Sequence, residues 1–320
     1  MHSASKVFSR ISELLAYLKI ADFEGLDANP AFPLRVPLEF AAKMEKGNPR
    51  DPLLLQVLPT LRERERVEGF VDDPVGDAGA GFASGILQKY KGRILLVASS
   101  ACSVRCRFCF RRNEPCRVPP ALPGDLAAYL SRSRDIREVI LSGGDPMLAP
   151  EDFLRALLET AAKFQGVKSF RIHSRLPVTE PSRAMELLPL LSEFAERFRL
   201  VLVLHANHAA ELGGATPEFL KACRQKGLTL LNQSVLLRRV NDSAQVLSDL
   251  SEALFDCGTL PYYLHLLDRA TGAAHFEVPE ARAREIYAEL LALLPGYLVP
   301  KLVREVAGES SKTPMYGGGF

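Results

Sequence analysis

The chain has 320 residues, enough for one large α/β domain or two small ones, and its 40 Lys plus Arg against 38 Asp plus Glu leave a formal charge of only +2. That balance argues against a nucleic-acid or membrane-surface binder and for a small-molecule partner. With no run of about 18 apolar residues and no secretory-type leader, the expectation is a cytoplasmic protein, where clustered cysteines read as metal or redox groups rather than disulfides.

In chain order, residues 1–90 are expected to form a mainly helical and irregular N-terminal extension. FSRISELLAYLKI (8–20) has apolar residues at helical spacing, whereas ANPAFPLRVP (28–37) and VDDPVGDAGAG (71–81) are rich in Pro and Gly. From Arg93 the texture changes to short apolar runs: ILLVAS (94–99), EVILSG (138–143), SFRIH (169–173), RLVLVLH (199–205), LTLLNQS (228–234) and LPYYLHLL (260–267). Helical patterns are expected over 121–131, 150–164, 181–198, 217–226, 243–256 and 279–294.

Strict alternation of strand and helix implies right-handed βαβ units on a parallel sheet. Six units are two short of a complete eight-unit barrel, so the expected fold is α/β, a partial (β/α)6 TIM-like barrel over residues 91–300. A C-terminal segment, 301–320, follows it.

Ligands of such folds sit beyond the carboxyl ends of the strands. The residues there are Cys102, Cys106 and Cys109; Gly143, Gly144 and Asp145; His173 and Arg175; His205, Asn207 and His208; Gln233; and Asp268. They are expected to converge on one pocket.

ACSVRCRFCFRR (101–112) holds three of the six cysteines. Thiolates spaced C-x3-C-x2-C can wrap one polynuclear centre, and a cubane of four irons held by three thiolates leaves one iron open to a substrate or cofactor. A zinc site completed by Cys116 or a distant His remains an alternative, as do plain buried thiols. Cys223 and Cys257, within expected helices, read as core thiols. SGGDP (142–146) puts two glycines at a strand end, where backbone can approach a ligand closely.

The cysteine spacing, with Phe108 before the third cysteine, resembles the cluster motif of the radical S-adenosylmethionine enzymes. CSVRCRFCFRR, SGGDP, NQSVLLRRVND (232–242), YYLHLLD (262–268) and ESSKTP (309–314) together resemble the lysine 2,3-aminomutase family.

This resemblance implies a barrel of the radical S-adenosylmethionine type and an isomerase that moves an amino group between C2 and C3 of an amino acid. It implies a 4Fe-4S cluster on Cys102, Cys106 and Cys109, S-adenosylmethionine at Ser142, Gly143, Gly144, Asp145 and His205, and pyridoxal 5′-phosphate in a Schiff base with Lys312. Arg93 and Gln233 match positions lining that cofactor, and Arg111 matches the cation for the substrate carboxylate. Asp268 and Glu305 match the carboxylate pair for a distal ammonium, with Glu305 one methylene longer than the Asp of free-standing lysine mutases.

PLEFAAKMEKGNPRDPLLLQVLP (37–59), ILQKYKGRILLV (86–97) and PKLVREVAGESSKTP (300–314) resemble one branch of the family. That branch makes (R)-β-lysine from free L-lysine for a partner ligase to attach to elongation factor P. A reductant of the flavodoxin or ferredoxin type is implied as a partner, and neither nucleic acid nor membrane is. A glutamate-directed aminomutase and a non-catalytic iron–sulfur or zinc scaffold are the alternatives.

Overall fold

Alternating apolar runs and amphipathic stretches fold as their periodicities require in the computed structural model, which describes residues 6–77, 85–113 and 119–316. The N-terminal part opens with strand β1 (Val7–Phe8), helix α1 (Ile11–Leu18) and strand β2 (Val36–Pro37), which pairs antiparallel with β1. Short helices α2 (Leu38–Ala41) and α3 (Pro52–Leu55) follow. The Asp51 carboxylate caps α3 by accepting from the Leu53 and Leu54 N–H groups, both at 2.8 Å.

Strands β3 (Ile86–Tyr90) and β4 (Arg93–Ser99) then begin the main sheet. Next come α4 (Pro123–Arg132), β5 (Glu138–Gly143), α5 (Glu151–Ala162), β6 (Ser169–Ser174), α6 (Leu176–Thr179), α7 (Pro181–Glu186), α8 (Leu188–Arg197) and β7 (Arg199–Leu204). The chain continues through α9 (Thr216–Gln225), β8 (Thr229–Val235), α10 (Ala244–Asp256), β9 (Leu260–His265), α11 (Glu280–Leu293), β10 (Lys301–Arg304) and β11 (Thr313–Pro314).

Among the described residues the sheet order is β11-β10-β9-β8-β7-β6-β5-β4-β3, so consecutive strands are neighbours throughout. All pairs from β4 to β10 are parallel, while β3 and β11 are antiparallel edges. The six expected runs are all strands. The seventh parallel strand, β10, was not expected: its KLVR is short and follows Pro300, so it lacks the long apolar run of the others. The helix expected over 181–198 divides at Leu187, because Pro189 removes an N–H from the ladder and disfavours helix in the residue before it.

The sheet does not close by pairing among the described residues, yet it curls far enough for its margins to meet. The Tyr90 hydroxyl, from β3, donates to Glu305 Oε1, just beyond β10, at 2.7 Å. This is the partial barrel that the strand count implied. The outer layer is made by helices such as α5, whose Leu154, Leu157, Leu158 and Ala161 form one buried stripe at helical spacing. The N-terminal part belongs to the same core, since Phe40, Leu53 and Leu54 cluster with Leu96, Leu141 and Leu202 of the sheet.

Candidate active site

The cysteine loop leaves β4 at Ser99 and is seated on the turn after β5. Gly144 N–H donates to the Ser99 carbonyl and Asp145 N–H to the Ala101 carbonyl, both at 2.7 Å. This contact explains the two glycines. A Cβ on Gly143, whose φ is +117°, would lie 2.4 Å from the Ser99 carbonyl oxygen, and one on Gly144 would lie 2.3 Å from that of Ala101. Glycine here admits the neighbouring loop, where the sequence had suggested room for a ligand.

Cys102, Cys106 and Cys109 are free thiols. Burial, and then the Cys106 thiol, push Cys109 up to about 11. A set of mutually close thiols needs a cationic centre before all three ionise. Cys116, the candidate fourth ligand of a zinc site, lies outside the described residues. Among the described residues no group of three or more His, Cys, Asp or Glu side chains is disposed to hold a single metal ion. Cys223 is buried in the core within α9, and Cys257 packs against that core just past α10.

The N-terminal part clamps the loop from outside. Arg105 N–H donates to the Arg35 carbonyl at 3.0 Å and Arg107 N–H to that of Gln56 at 2.8 Å. The wholly buried Arg107 and the neighbouring Arg112 both pair with Glu63. Arg175, after β6, reaches Cys106 Sγ, Gln56 and Glu211.

Ser142 is buried at the end of β5. Asp145 is buried too, and its oxygens accept from Ser174 Oγ at 2.7 Å, Met147 N–H at 3.0 Å, and Arg175 and Leu176 N–H at 2.9 Å. Its carboxylate thus ties the end of β5 to the end of β6. His205 stacks on Phe108, 5.5 Å between centroids. Burial, then the Arg175 charge, lower His205 to about 3, so its ring stays neutral.

Arg111, on the cysteine loop, bridges Asp77 and the end of β5. Its Nε and Nη2 donate to Asp77 Oδ2 at 3.0 and 2.9 Å, and its Nη1 to the Gly143 carbonyl at 3.0 Å. Lys89 pairs with the other Asp77 oxygen at 2.6 Å.

Lys312 Nζ donates to Glu305 Oε2 at 2.7 Å and lies 5.7 Å from the Tyr263 ring centroid. Burial works against the charge on Glu305, but Lys312 and Tyr90 hold it below the usual carboxylate range. Asp268 feels Lys312, Glu305, Lys89 and Asp77, and burial raises it to about 7.

Tyr263 links this group to the barrel interior. It is the register partner of Gln233 of β8, just past a bulge in β9 that leaves Tyr262 unpaired. Burial raises its hydroxyl while Arg171 and Arg93 pull it down. Among the described residues, Arg93 Nε, Arg171 Nε and His173 Nε2 are buried without a hydrogen-bond partner. Two unspent guanidinium donors near one tyrosine fit an anionic group such as a phosphate.

The described residues expected at the site therefore lie at strand ends or on the loops that follow them, apart from Gln233, which lies within β8, and Arg93, which begins β4. Gln56, Glu63, Asp77, Tyr90, Arg171 and Glu211 were not foreseen, and Arg175 was noted only for its strand-end position. Asp77 lies in a Pro/Gly-rich stretch with no motif, and only Arg171 and Glu211 carried a hint, being polar residues within or just after apolar runs.

No family model matches the chain. The chain is 45% identical over 311 residues to the L-lysine 2,3-aminomutase of Escherichia coli (strain K12), covering 95% of this chain and 90% of that protein. It is 45% identical over 297 residues to the L-lysine 2,3-aminomutase of Haemophilus influenzae, covering 91% and 87%. Among solved structures, a radical SAM methyltransferase from Sphaerobacter thermophilus is 19% identical with a TM-score of 0.46, covering 68% of each chain.

Proposed function

The chain belongs to the L-lysine 2,3-aminomutase family of isomerases, and from that premise we propose that it converts free L-lysine to (R)-β-lysine using a 4Fe-4S cluster, S-adenosylmethionine and pyridoxal 5′-phosphate. The observation that carries the reading is the contact of Lys312 with Glu305, both within electrostatic reach of the buried Asp268. An amine able to bond a carbonyl cofactor and a carboxylate pair able to hold an ammonium share one end of the barrel.

When bound, the cluster with S-adenosylmethionine supplies one-electron chemistry for hydrogen abstraction, and pyridoxal phosphate supplies the carbonyl that carries the migrating amino group. The chain's own residues bind, orient and shield. Cys102, Cys106 and Cys109 hold the cluster, and the loop is stiffened by the glycine turn beneath it and the N-terminal clamp outside. Arg93 and Arg171 offer unspent donors to the phosphate, with Gln233 beside them.

Arg111 takes the substrate carboxylate, for which its fork is suited, and must share its charge with Asp77 to do so. Asp268 and Glu305 take the distal ammonium, and Glu305 releases Lys312 as they do. A second carboxylate at that end would meet two acidic side chains, which favours lysine over glutamate. Ser142, Asp145 and His205 shape the wall on which S-adenosylmethionine is held, with Asp145 acting through the backbone it fixes.

The likeness of residues 37–59, 86–97 and 300–314 to one branch of the family supports a role in supplying (R)-β-lysine for a ligase that modifies elongation factor P. The test is anaerobic reconstitution with iron, sulfide and pyridoxal phosphate, then assay of L-lysine and L-glutamate with S-adenosylmethionine and a reductant. Lysine turns over to the (R) product, and both Cys106→Ala and Lys312→Ala, each still folded, lose turnover. Turnover of glutamate with lysine untouched overturns the substrate assignment. Mass spectrometry of elongation factor P from cells lacking the gene tests the downstream role.

A further inference from the structure

Arg175 follows β6 directly, and its backbone is pinned because Asp145 accepts both its N–H and that of Leu176. From that fixed point a side chain only 7% exposed reaches three groups on three separate segments. Its Nη1 lies 2.7 Å from Cys106 Sγ, and its Nη2 lies 2.7 Å from Gln56 Oε1 and 2.8 Å from Glu211 Oε2. The guanidinium also lies 5.5 Å from the ring centroid of Phe108, the residue directly before Cys109. Glu211 cannot turn away, since its other oxygen accepts from Gln56 Nε2 at 3.0 Å and Asn207 N–H at 2.8 Å.

We propose that Arg175 is a positioning residue that sets the reduction potential of the iron–sulfur cluster through Cys106, with Glu211 as the counter-charge that limits its effect. The proposal rests on Cys102, Cys106 and Cys109 being the cluster ligands. One-electron reduction of a cluster held by thiolates adds a negative charge at the iron and sulfur atoms. A donor to a ligand sulfur, and a permanent cation beside it, stabilise the reduced state more than the oxidised one and raise the potential. Burial makes both charges act strongly, because little water screens them. Removing Arg175 therefore lowers the potential, and neutralising Glu211 raises it. A residue that merely braced the loop would give no such opposed pair of shifts.

The experiment is a redox titration of anaerobically reconstituted full-length protein, without substrate or S-adenosylmethionine, followed by electron paramagnetic resonance of the reduced cluster. Iron and sulfide contents and circular dichroism are measured alongside. Arg175→Gln loads iron as wild type does, and its ratio of reduced to oxidised cluster at a fixed potential falls about tenfold, about 59 mV for one electron. Arg175→Lys recovers part of that loss. Glu211→Gln shifts the ratio the opposite way.

Loaded Arg175→Gln and Glu211→Gln proteins at the wild-type potential overturn the proposal, as do shifts of the two in the same direction. If Arg175→Gln does not fold or load, Glu211→Gln decides: a raised potential supports the proposal, and an unchanged or lowered one overturns it. A wild-type protein that takes up no iron, or one whose iron survives loss of all three cysteines, instead overturns the cluster reading and this proposal with it.

Discussion

Glu305 serves three groups with one carboxylate: it accepts from the Tyr90 hydroxyl and from Lys312, and it lies close enough to Asp268 to raise it. The extra methylene relative to aspartate lets it reach Lys312 before any substrate arrives. Asp268 is the titrating member of the pair. A carboxyl raised to about 7 is neutral below that pH and charged above it, so the charge needed for an ammonium is lost as the pH falls. Below pH 7 the KM for lysine should therefore rise by up to about tenfold per unit, and Asp268→Asn should raise KM and flatten this dependence. A KM profile that keeps its slope in the variant would remove Asp268 from the ammonium site. At this scale the sequence identified the charged groups but not their partners, since Arg111 and Asp77 meet across 34 positions that no local pattern connects.

At the scale of elements, the turn after β5 and the loop after β4 behave as one unit. Gly144→Ala would bring a methyl group to 2.3 Å from the Ala101 carbonyl oxygen, backbone against backbone, and the loop would have to lift. Overpacking of this kind costs about 1–3 kcal/mol. The expected result is a folded protein with reduced iron content after reconstitution. Full iron loading in that variant would show that the loop tolerates displacement. The strands that carry the loops were legible because each is an apolar run between helical patterns. The β10 strand was not, because a four-residue segment after a proline is buried by the sheet it joins and not by its own periodicity.

For the whole molecule, the N-terminal part is the element whose role the sequence least disclosed. Its Glu63 pairs with two arginines of the cysteine loop, one of them fully buried. Removing one partner of a buried ion pair typically costs about 3–5 kcal/mol, because the remaining charge stays buried. Glu63→Gln should thus lower the melting temperature of the cofactor-free protein by several degrees and weaken iron retention. A variant that melts with wild type would show that the clamp is dispensable. The Tyr90–Glu305 bond is the other long-range tie, joining the two margins of the curled sheet directly at the carboxylate pair.

By itself the sequence determined the alternation of strand and helix, the three-cysteine loop and the strand-end position of the candidate site residues. These are local properties: apolar periodicity, cysteine spacing and the few residues following each run. Only the tertiary structure decided that the glycines admit a neighbouring loop, that Asp145 fixes backbone, that Glu305 holds Lys312, and that Arg175 reaches Cys106. Those outcomes depend on which strands become neighbours when the sheet curls, and burial then gives each remote contact its energetic weight.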